Sequence, residues 1–430
     1  MLLYEVGSLK LSPTLFGAAL VRDGAVGGRE PSEERLLGGD DEVRAMLQGV
    51  NVVLGVSGSI AAVKTVELAH ELRREGANVR AVMTDSARGI VHPWAVEFAT
   101  ENDVVTELTG AVEHVDLCGV EGWGDVLLLA PATANTVGKV AAAIDDTPVT
   151  TCATTALGAG VPVVVAPAMH EPMYDHPGVA DAIDRVASWG VAFVDPRIEE
   201  GKAKIATEEA IVTAVGRAAG DRPLSGEHVV VTAGATTESV DPVRTLSNRA
   251  SGRTGRAVAR ACYVHGADVT LVHDGPDVPY AAVEAVESGA EMTAAVTDIA
   301  SDADALISAA AISDYTVSGA DEKIKSGQEN LTLELEPTPK LIDTVRESHP
   351  DLPIVGFKVE SAGDDETLTA RARELRNRVG LAFVVANDAS VMGNDETRAL
   401  FVRDDASEYV GDKQGLGLRV AEELRTTLDG

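Results

Sequence analysis

The stretch Val50-Asn51-Val52-Val53-Leu54-Gly55-Val56-Ser57-Gly58-Ser59-Ile60-Ala61-Ala62-Val63-Lys64 decides how this chain is read. Val50 to Val56 is almost uniformly apolar and rich in β-branched residues, the pattern of a strand buried on both faces. The run breaks on Ser57-Gly58, a helical period follows from Ser59 to Arg74, and Gly76-Ala77-Asn78-Val79 turns into a second strand ending at Thr84. Strand, small-residue loop, helix and strand predict an α/β protein with a mainly parallel sheet. A strand that ends in small residues and opens a helix also exposes backbone N–H groups at the positive helix end, which suits a phosphate. Glycines after a strand serve a plain turn equally well, so this loop alone leaves both readings open.

The order recurs. Val229 to Ala233 reads as a strand, Gly255 to His265 as a helix, and Gly266-Ala267-Asp268-Val269 turns into a strand ending near Val272. Gly76 and Gly266 stand where a helix C-cap glycine is expected, so the shared turn has a local cause. The expectation is two tandem three-layer α/β domains: a flavodoxin-like or Rossmann-like domain over 49–218 and a Rossmann-like domain over 227–430. A linker over 219–226 is marked by Gly220, Pro223 and Gly226, and an extension over 1–48 holds the Gly-rich, charged run Gly24 to Asp41.

Composition bounds the function. The 430 residues carry 36 Lys+Arg against 68 Asp+Glu, a formal net charge of −32, yet 45% are hydrophobic, enough to build cores. The acidic residues are spread along the chain, so nucleic acid and anionic membranes are poor partners. With only ten lysines and 3% aromatics, such a surface suits hydration in high salt, a halophilic trait. Cys118, Cys152 and Cys262 show no metal or disulfide spacing, and no long apolar run or signal-peptide pattern occurs, so a soluble cytoplasmic protein is expected.

Two further buried runs deliver polar residues at strand ends, where open α/β sheets bind ligands. Leu127 to Ala130 leads into Pro131-Ala132-Thr133-Ala134-Asn135-Thr136, and Val163 to Ala166 leads into Pro167-Ala168-Met169-His170-Glu171-Pro172-Met173-Tyr174. With the Gly-Ser-Ile-Ala-Ala loop and His114-Val115-Asp116-Leu117, the segment from about Val50 to Val215 resembles the flavin-containing cysteine decarboxylases, phosphopantothenoylcysteine decarboxylases in particular. The resemblance implies FMN held by Ser57, Gly58, Ser59 and Thr84, a flavin and substrate pocket lined by Ala132, Thr133, Asn135 and Met169, and His114 as the catalytic histidine. A saturated cysteine thiol offers no sink for the electrons that decarboxylation leaves behind, and transient oxidation beside the sulfur by the flavin supplies one. Two departures stand out. His170 replaces the family's usual Asn and is expected to bind the substrate carboxylate. The stretch Glu199-Glu200-Gly201-Lys202-Ala203-Lys204-Ile205 lacks the family's flap cysteine, leaving Lys202 or Lys204 as acids, or a plain charged loop.

In the second half, Thr232-Ala233-Gly234-Ala235-Thr236-Thr237 follows a strand, and Asp241-Pro242-Val243-Arg244 precedes Ser247-Asn248-Arg249-Ala250-Ser251-Gly252-Arg253-Thr254-Gly255. A long loop rich in Gly, Ser and Arg that enters a helix suits several phosphates. With Ser313-Asp314-Tyr315, Glu322-Lys323-Ile324-Lys325 and Ala386-Asn387-Asp388 in order, the segment from about Glu227 to Leu424 resembles phosphopantothenate–cysteine ligases. The resemblance implies activation of the pantothenate carboxylate by CTP with Mg²⁺, followed by attack of the cysteine amine. It assigns Asn248 to the acyl intermediate and Lys323 to neutralising phosphate charge. Gly234, Arg244, Ser251, Gly252, Asp314, Lys325, Phe357 and Lys358 become substrate- and nucleotide-binding positions, with Arg244 either orienting the loop or touching substrate. Ser326 replaces a further family lysine, and no carboxylate cluster marks metal ligands. Together the two resemblances imply one homo-oligomeric bifunctional enzyme of coenzyme A biosynthesis. A flavin-binding regulatory module and an NAD(P)-dependent oxidoreductase are the competing readings.

Overall fold

The computed structural model describes residues 45–325, 330–360, 364–388 and 396–429; the extension up to residue 44 and Ser326 lie outside the described residues. The opening stretch forms strand β1 (Asn51–Val56), buried after its first residue. Where the sequence pattern predicts one helix from Ser59, the chain makes a 3-10 turn over Ile60–Lys64 before helix α1 (Thr65–Arg74). The Ser59 hydroxyl accepts the Ala61 N–H at 3.3 Å and so caps this tighter turn.

Next come β2 (Asn78–Met83), α2 (Asp85–Arg88), α3 (Pro93–Thr100), α4 (Glu113–Cys118), β3 (Val126–Ala132), α5 (Ala134–Ala141), α6 (Pro148–Ala159) and β4 (Val163–Pro167). The domain is completed by β5 (Met169–His170), α7 (Glu171–Tyr174), α8 (Pro177–Ala187), β6 (Ala192–Phe193), β7 (Arg197–Glu199), β8 (Lys202–Lys204) and α9 (Glu208–Ala219). Five parallel strands lie in the order β2-β1-β3-β4-β6. This is the flavodoxin order, and its direction of growth reverses between β1 and β3, which opens a crevice at their carboxyl ends. One face packs on α1, α3 and α9 through Leu68, Leu72, Val96, Ile211 and Val215; the other packs on α4, α5 and α6 through Leu117, Val137, Val149 and Cys152. Leu127, Leu128 and Leu129 are at most 1% exposed, and full burial of each contributes about 1.5–3 kcal/mol.

The second domain contains β9 (His228–Thr232), β10 (Thr237–Asp241), β11 (Arg244–Ser247), α10 (Arg253–Val264), β12 (Asp268–His273), β13 (Ala282–Ala285), α11 (Gly289–Ile299) and β14 (Ala305–Ser308). It continues with β15 (Tyr315–Val317), β16 (Leu335–Pro337), α12 (Leu341–Ser348), β17 (Ile354–Glu360), α13 (Asp365–Val379), β18 (Phe383–Asp388), β19 (Glu396–Val402), β20 (Ala406–Asp412) and α14 (Lys413–Leu428). Eight strands run in the order β13-β12-β9-β14-β17-β18-β19-β20, parallel up to β18 and antiparallel beyond it. The strand predicted over Ala305 to Ala311 stops at Ser308, because the Ala309 and Ala310 N–H groups turn to the Thr232 hydroxyl at 3.2 and 3.1 Å.

The segments flanking the domains are more tightly held than the sequence suggests. Leu47, read as part of the extension, is fully buried in the first core, and its N–H donates to Glu75 O at 2.7 Å. Leu224, within the expected linker, is 1% exposed in the second core. Helix α9 meets α10 directly: Arg217 lies 4.2 Å over the Tyr263 ring and donates to the carbonyls of Tyr263, Gly266 and Ala267. The buried Arg260 Nε donates to the Thr213 hydroxyl at 2.6 Å, and its guanidinium stands 3.9 Å from the buried Glu75 carboxylate.

Candidate functional sites

The β1/β3 crevice is assembled by the small polar residues that the sequence singles out. Ser57 Oγ donates to Pro131 O at 2.7 Å and accepts the Thr133 N–H at 3.1 Å, locking the two strand ends together. Ser59 Oγ reaches Ala168 O at 3.2 Å, so the end of β4 joins the same rim. Thr84 caps α2 through the Ala87 N–H, and Thr133 caps α5 through the Thr136 N–H, each at 3.2 Å. Ala132 is buried, Met169 half-buried, and Asn135 exposed on the first turn of α5. Gly58 is sterically required: a Cβ there would stand 2.3 Å from Ser86 Oγ and 2.5 Å from Ser86 Cβ. Ser86 is thus a crevice residue that sequence reading missed. Gly58→Ala is expected to displace the α2 loop and weaken FMN binding about 5- to 150-fold, the equivalent of the roughly 1–3 kcal/mol typical of overpacking. Fluorescence titration of the apoprotein checks this, and unchanged affinity would remove Gly58 from the cradle.

His114 sits in α4, apart from these hydrogen bonds. Its Nδ1 is buried with no hydrogen-bond partner. Helix α4 starts from Val112 at φ 53°, a left-handed conformation unfavourable for a β-branched residue and one that clusters at functional sites. Glu113 accepts both the N–H and the hydroxyl of Thr109, which holds its carboxyl below the usual glutamate range.

The segment without cysteine folds as a hairpin, β7 and β8, joined by Glu200-Gly201 with φ values of 52° and 67°. Strand β8 pairs with β5 and sets Lys202 opposite His170. Lys204 bonds Glu199 and Glu200, each at 3.0 Å, and Arg197 bonds Glu199 at 3.1 Å. Among the described residues Lys202 and His170 have no such side-chain partner.

In the second domain, Gly234 and Gly252, at φ 82° and 72°, bring two loops into backbone contact: a Cβ on Gly252 would lie 3.0 Å from Gly234 Cα. Gly252 is the N-cap of α10, with the exposed Ser251 beside it. Asn248 Nδ2 donates to Ala311 O at 3.0 Å, and the Ala311 N–H donates to Gly234 O at 2.8 Å, so these three share one rim. Asp314 is ion-paired with Lys340, a residue no sequence motif flagged. Phe357 is half-buried against the second core and Lys358 neighbours it on β17. Arg244 faces Asp241 and Ile324 O, the loop-orienting alternative.

The lysines inside the motifs are not all kept for anionic ligands: Lys64 pairs with Glu67, Lys139 with Asp146, and Lys204 with the flap glutamates. On so acidic a chain, nearby carboxylates capture these three. Lys202, Lys323 and Lys325 remain without an ion pair among the described residues.

A flavodoxin-order sheet with a small-residue crevice is followed by a second, mainly parallel sheet with glycines at its helix entry, the arrangement of two tandem ligand-binding α/β domains. Residues 40–220 match the flavoprotein family, and residues 224–427 match the DNA/pantothenate metabolism flavoprotein C-terminal domain. The chain belongs to the family of the coenzyme A biosynthesis bifunctional protein CoaBC. It is 46% identical over 391 residues to that protein from Thermococcus kodakarensis, covering 89% of this chain and 96% of the relative. It is 35% identical over 368 residues to the Bacillus subtilis protein, covering 81% and 88%. A solved FMN-dependent cysteine decarboxylase, SpaF, is 32% identical with a TM-score of 0.36, covering 40% of this chain and 99% of its own. This chain is therefore a bifunctional enzyme of coenzyme A biosynthesis, with the decarboxylase in the first domain and the ligase in the second. Among the described residues no helix is long and apolar enough to cross a membrane.

Proposed function

We propose that the second domain uses CTP and Mg²⁺ to join 4′-phosphopantothenate to cysteine, and that the first domain decarboxylates the product to 4′-phosphopantetheine. The observation that carries this reading is that both sheets gather their polar residues at the carboxyl ends of parallel strands, around backbone approaches that only glycine permits.

In the ligase, a pantothenate carboxylate oxygen attacks the α-phosphorus of CTP and pyrophosphate leaves. The cysteine amine then attacks the acyl carbon, forming the amide, losing a proton and releasing CMP. Ser251 and Gly252 at the N-terminus of α10, and Gly234 on the loop after β9 that contacts Gly252, offer backbone N–H groups to phosphate. Lys323 neutralises charge developing on the departing oxygens, and Lys325 adds to the field. Asn248 holds the acyl intermediate; Asp314, Phe357 and Lys358 serve the nucleotide. Mg²⁺ is expected to arrive on the triphosphate oxygens of CTP.

In the decarboxylase, Ser57, Gly58, Ser59 and Thr84 hold FMN, with Ala132, Thr133, Asn135 and Met169 lining the pocket. Bound FMN supplies the electron sink that the saturated substrate lacks. His114 moves the proton at the reacting centre, its partnerless Nδ1 being matched to a ligand atom. His170 binds the substrate carboxylate, and Lys202, opposite it, is the acid free to stand in for the missing thiol; Lys204 is already engaged. Trp94 and Phe98 on α3, each at least 75% exposed, support a homo-oligomer. The three buried free cysteines suit a reducing cytoplasm.

The purified protein is expected to be yellow, to scatter light as a multiple of its 44.7 kDa chain, and to release pyrophosphate in sustained turnover only when CTP, 4′-phosphopantothenate, cysteine and Mg²⁺ are present together. A colourless preparation that cannot be reconstituted with FMN would overturn the first half. Activation by ATP but not CTP would overturn the nucleotide assignment.

A further inference from the structure

Asp241 ends β10, and Arg244 opens the paired strand β11, which runs on to Ser247 and Asn248. The Asp241 carboxylate is buried at 2% exposure, and its two oxygens divide their work. Oδ1 accepts the N–H groups of Val243 and Arg244 at 2.8 and 2.9 Å, closing the hairpin. Oδ2 accepts the N–H of Ile324 at 3.1 Å and also contacts the Arg244 guanidinium. The other guanidinium nitrogen, Nη2, donates to Ile324 O at 3.2 Å. Both backbone polar groups of Ile324 are thereby taken by one acid and one base, as a neighbouring strand would take them. Ile324 lies between Lys323 and Lys325. These are the only hydrogen bonds that residues 321–325 make among the described residues. Burial alone would raise the Asp241 carboxyl, but the N–H groups of Val243, Ile324 and Arg244 outweigh it and hold it below the usual aspartate range.

We infer that Asp241, acting with Arg244, is a positioning residue of the ligase: it registers the Lys323–Lys325 segment against the hairpin that carries Asn248. The proposal rests on the reading of Lys323 as the phosphate-neutralising group. A freely moving lysine five bonds from its backbone searches many positions, so fixing that backbone removes part of the ordering that transition-state stabilisation requires. Asp241 touches no substrate atom in this scheme and works through the lysine.

A double-mutant cycle on the full-length protein tests it, with steady-state pyrophosphate release from CTP, 4′-phosphopantothenate and cysteine as the readout. Lys323→Ala is expected to lower kcat about 10²–10³-fold, the scale for losing one preorganised group. Asp241→Asn keeps one acceptor but turns an amide NH₂ toward donors, and is expected to lower kcat roughly 10–100-fold with a smaller change in KM for CTP. In the double variant, Asp241→Asn should add less than about twofold to the Lys323→Ala loss, because its effect runs through the missing ammonium. CO₂ release by the first domain serves as the control for folding. Should Asp241→Asn not accumulate, Ile324→Pro removes the donated N–H while leaving both charged side chains in place, and the same cycle applies. Full additivity overturns the positioning role even if both single losses are large. An unimpaired Lys323→Ala enzyme overturns it by a different route, by removing the lysine reading on which it rests.

Discussion

Replacing His114 with Asn is expected to lower CO₂ release about 10²–10⁴-fold, the range for loss of a positioned acid–base group, while the protein still binds FMN. The buried Nδ1 of His114 has no hydrogen-bond partner. A buried polar atom left without a partner costs about 1–3 kcal/mol, so Nδ1 makes the ligand-free fold less stable than it would otherwise be. A histidine kept for structure would be hydrogen-bonded, and its loss would lower the melting temperature. Here the expected sign is the reverse: His114→Asn should leave the thermal midpoint unchanged or raise it, while turnover collapses. The strained Val112 that launches α4 fits the same pattern, since backbone strain persists where the surrounding structure over-determines it. Calorimetry, flavin absorbance and CO₂ release on the same preparation separate the cases. A variant that loses stability and flavin along with activity would make His114 a structural residue, and retained turnover would remove it from the chemistry altogether.

Much of this architecture is legible in the sequence because it is local. The Val50 to Val56 run, the break at Ser57-Gly58 and the turn glycines Gly76 and Gly266 each encode their conformation within a few residues, and the strand-end motifs follow from sheet topology. What was hidden depends on distant partners. Gly58 looks like a turn glycine, yet its requirement comes from Ser86 across the crevice. Asp241 and Arg244 belong to a quoted motif, but their joint hold on Ile324 spans a separation that no periodicity records. Lys204 and Lys202 read alike until the hairpin gives two glutamates to one and a histidine neighbour to the other. Arg260 and Glu75 look like solvent-facing helix charges, yet both are buried, with Arg260 facing Thr213 and Glu75 far away in sequence.

That buried pair gives the largest expected effect on stability. Arg260→Met keeps an unbranched apolar stem while removing the bond to Thr213 and the charge facing Glu75, and breaking such a pair typically costs about 3–5 kcal/mol. The Gln414 amide, turned so that its nitrogen faces Glu75 at 2.9 Å, offers the carboxylate one remaining donor. Glu75 can also escape by binding a proton, and this sets the pH dependence. Burial already raises its carboxyl above the usual value of 4.5, against the pull of Arg260 and with help from the like charges of Glu71 and Asp412. A carboxyl raised in the folded state binds more protons there than in the unfolded chain, so its favourable contribution is complete below the unfolded value and is lost as pH rises through the folded one. Without Arg260 the folded value moves further up and the window of loss widens. The deficit of the variant should therefore be small near pH 5 and grow toward pH 8, measured as the difference in thermal midpoint from the parent protein. Adding Glu75→Gln removes the titrating group and should recover most of the loss, leaving the bond to Thr213 as the remainder. A deficit that stays constant across this range, or a double variant as unstable as the single one, would mean that α9 and α10 are held by Arg217 and apolar packing, with the buried charges contributing little.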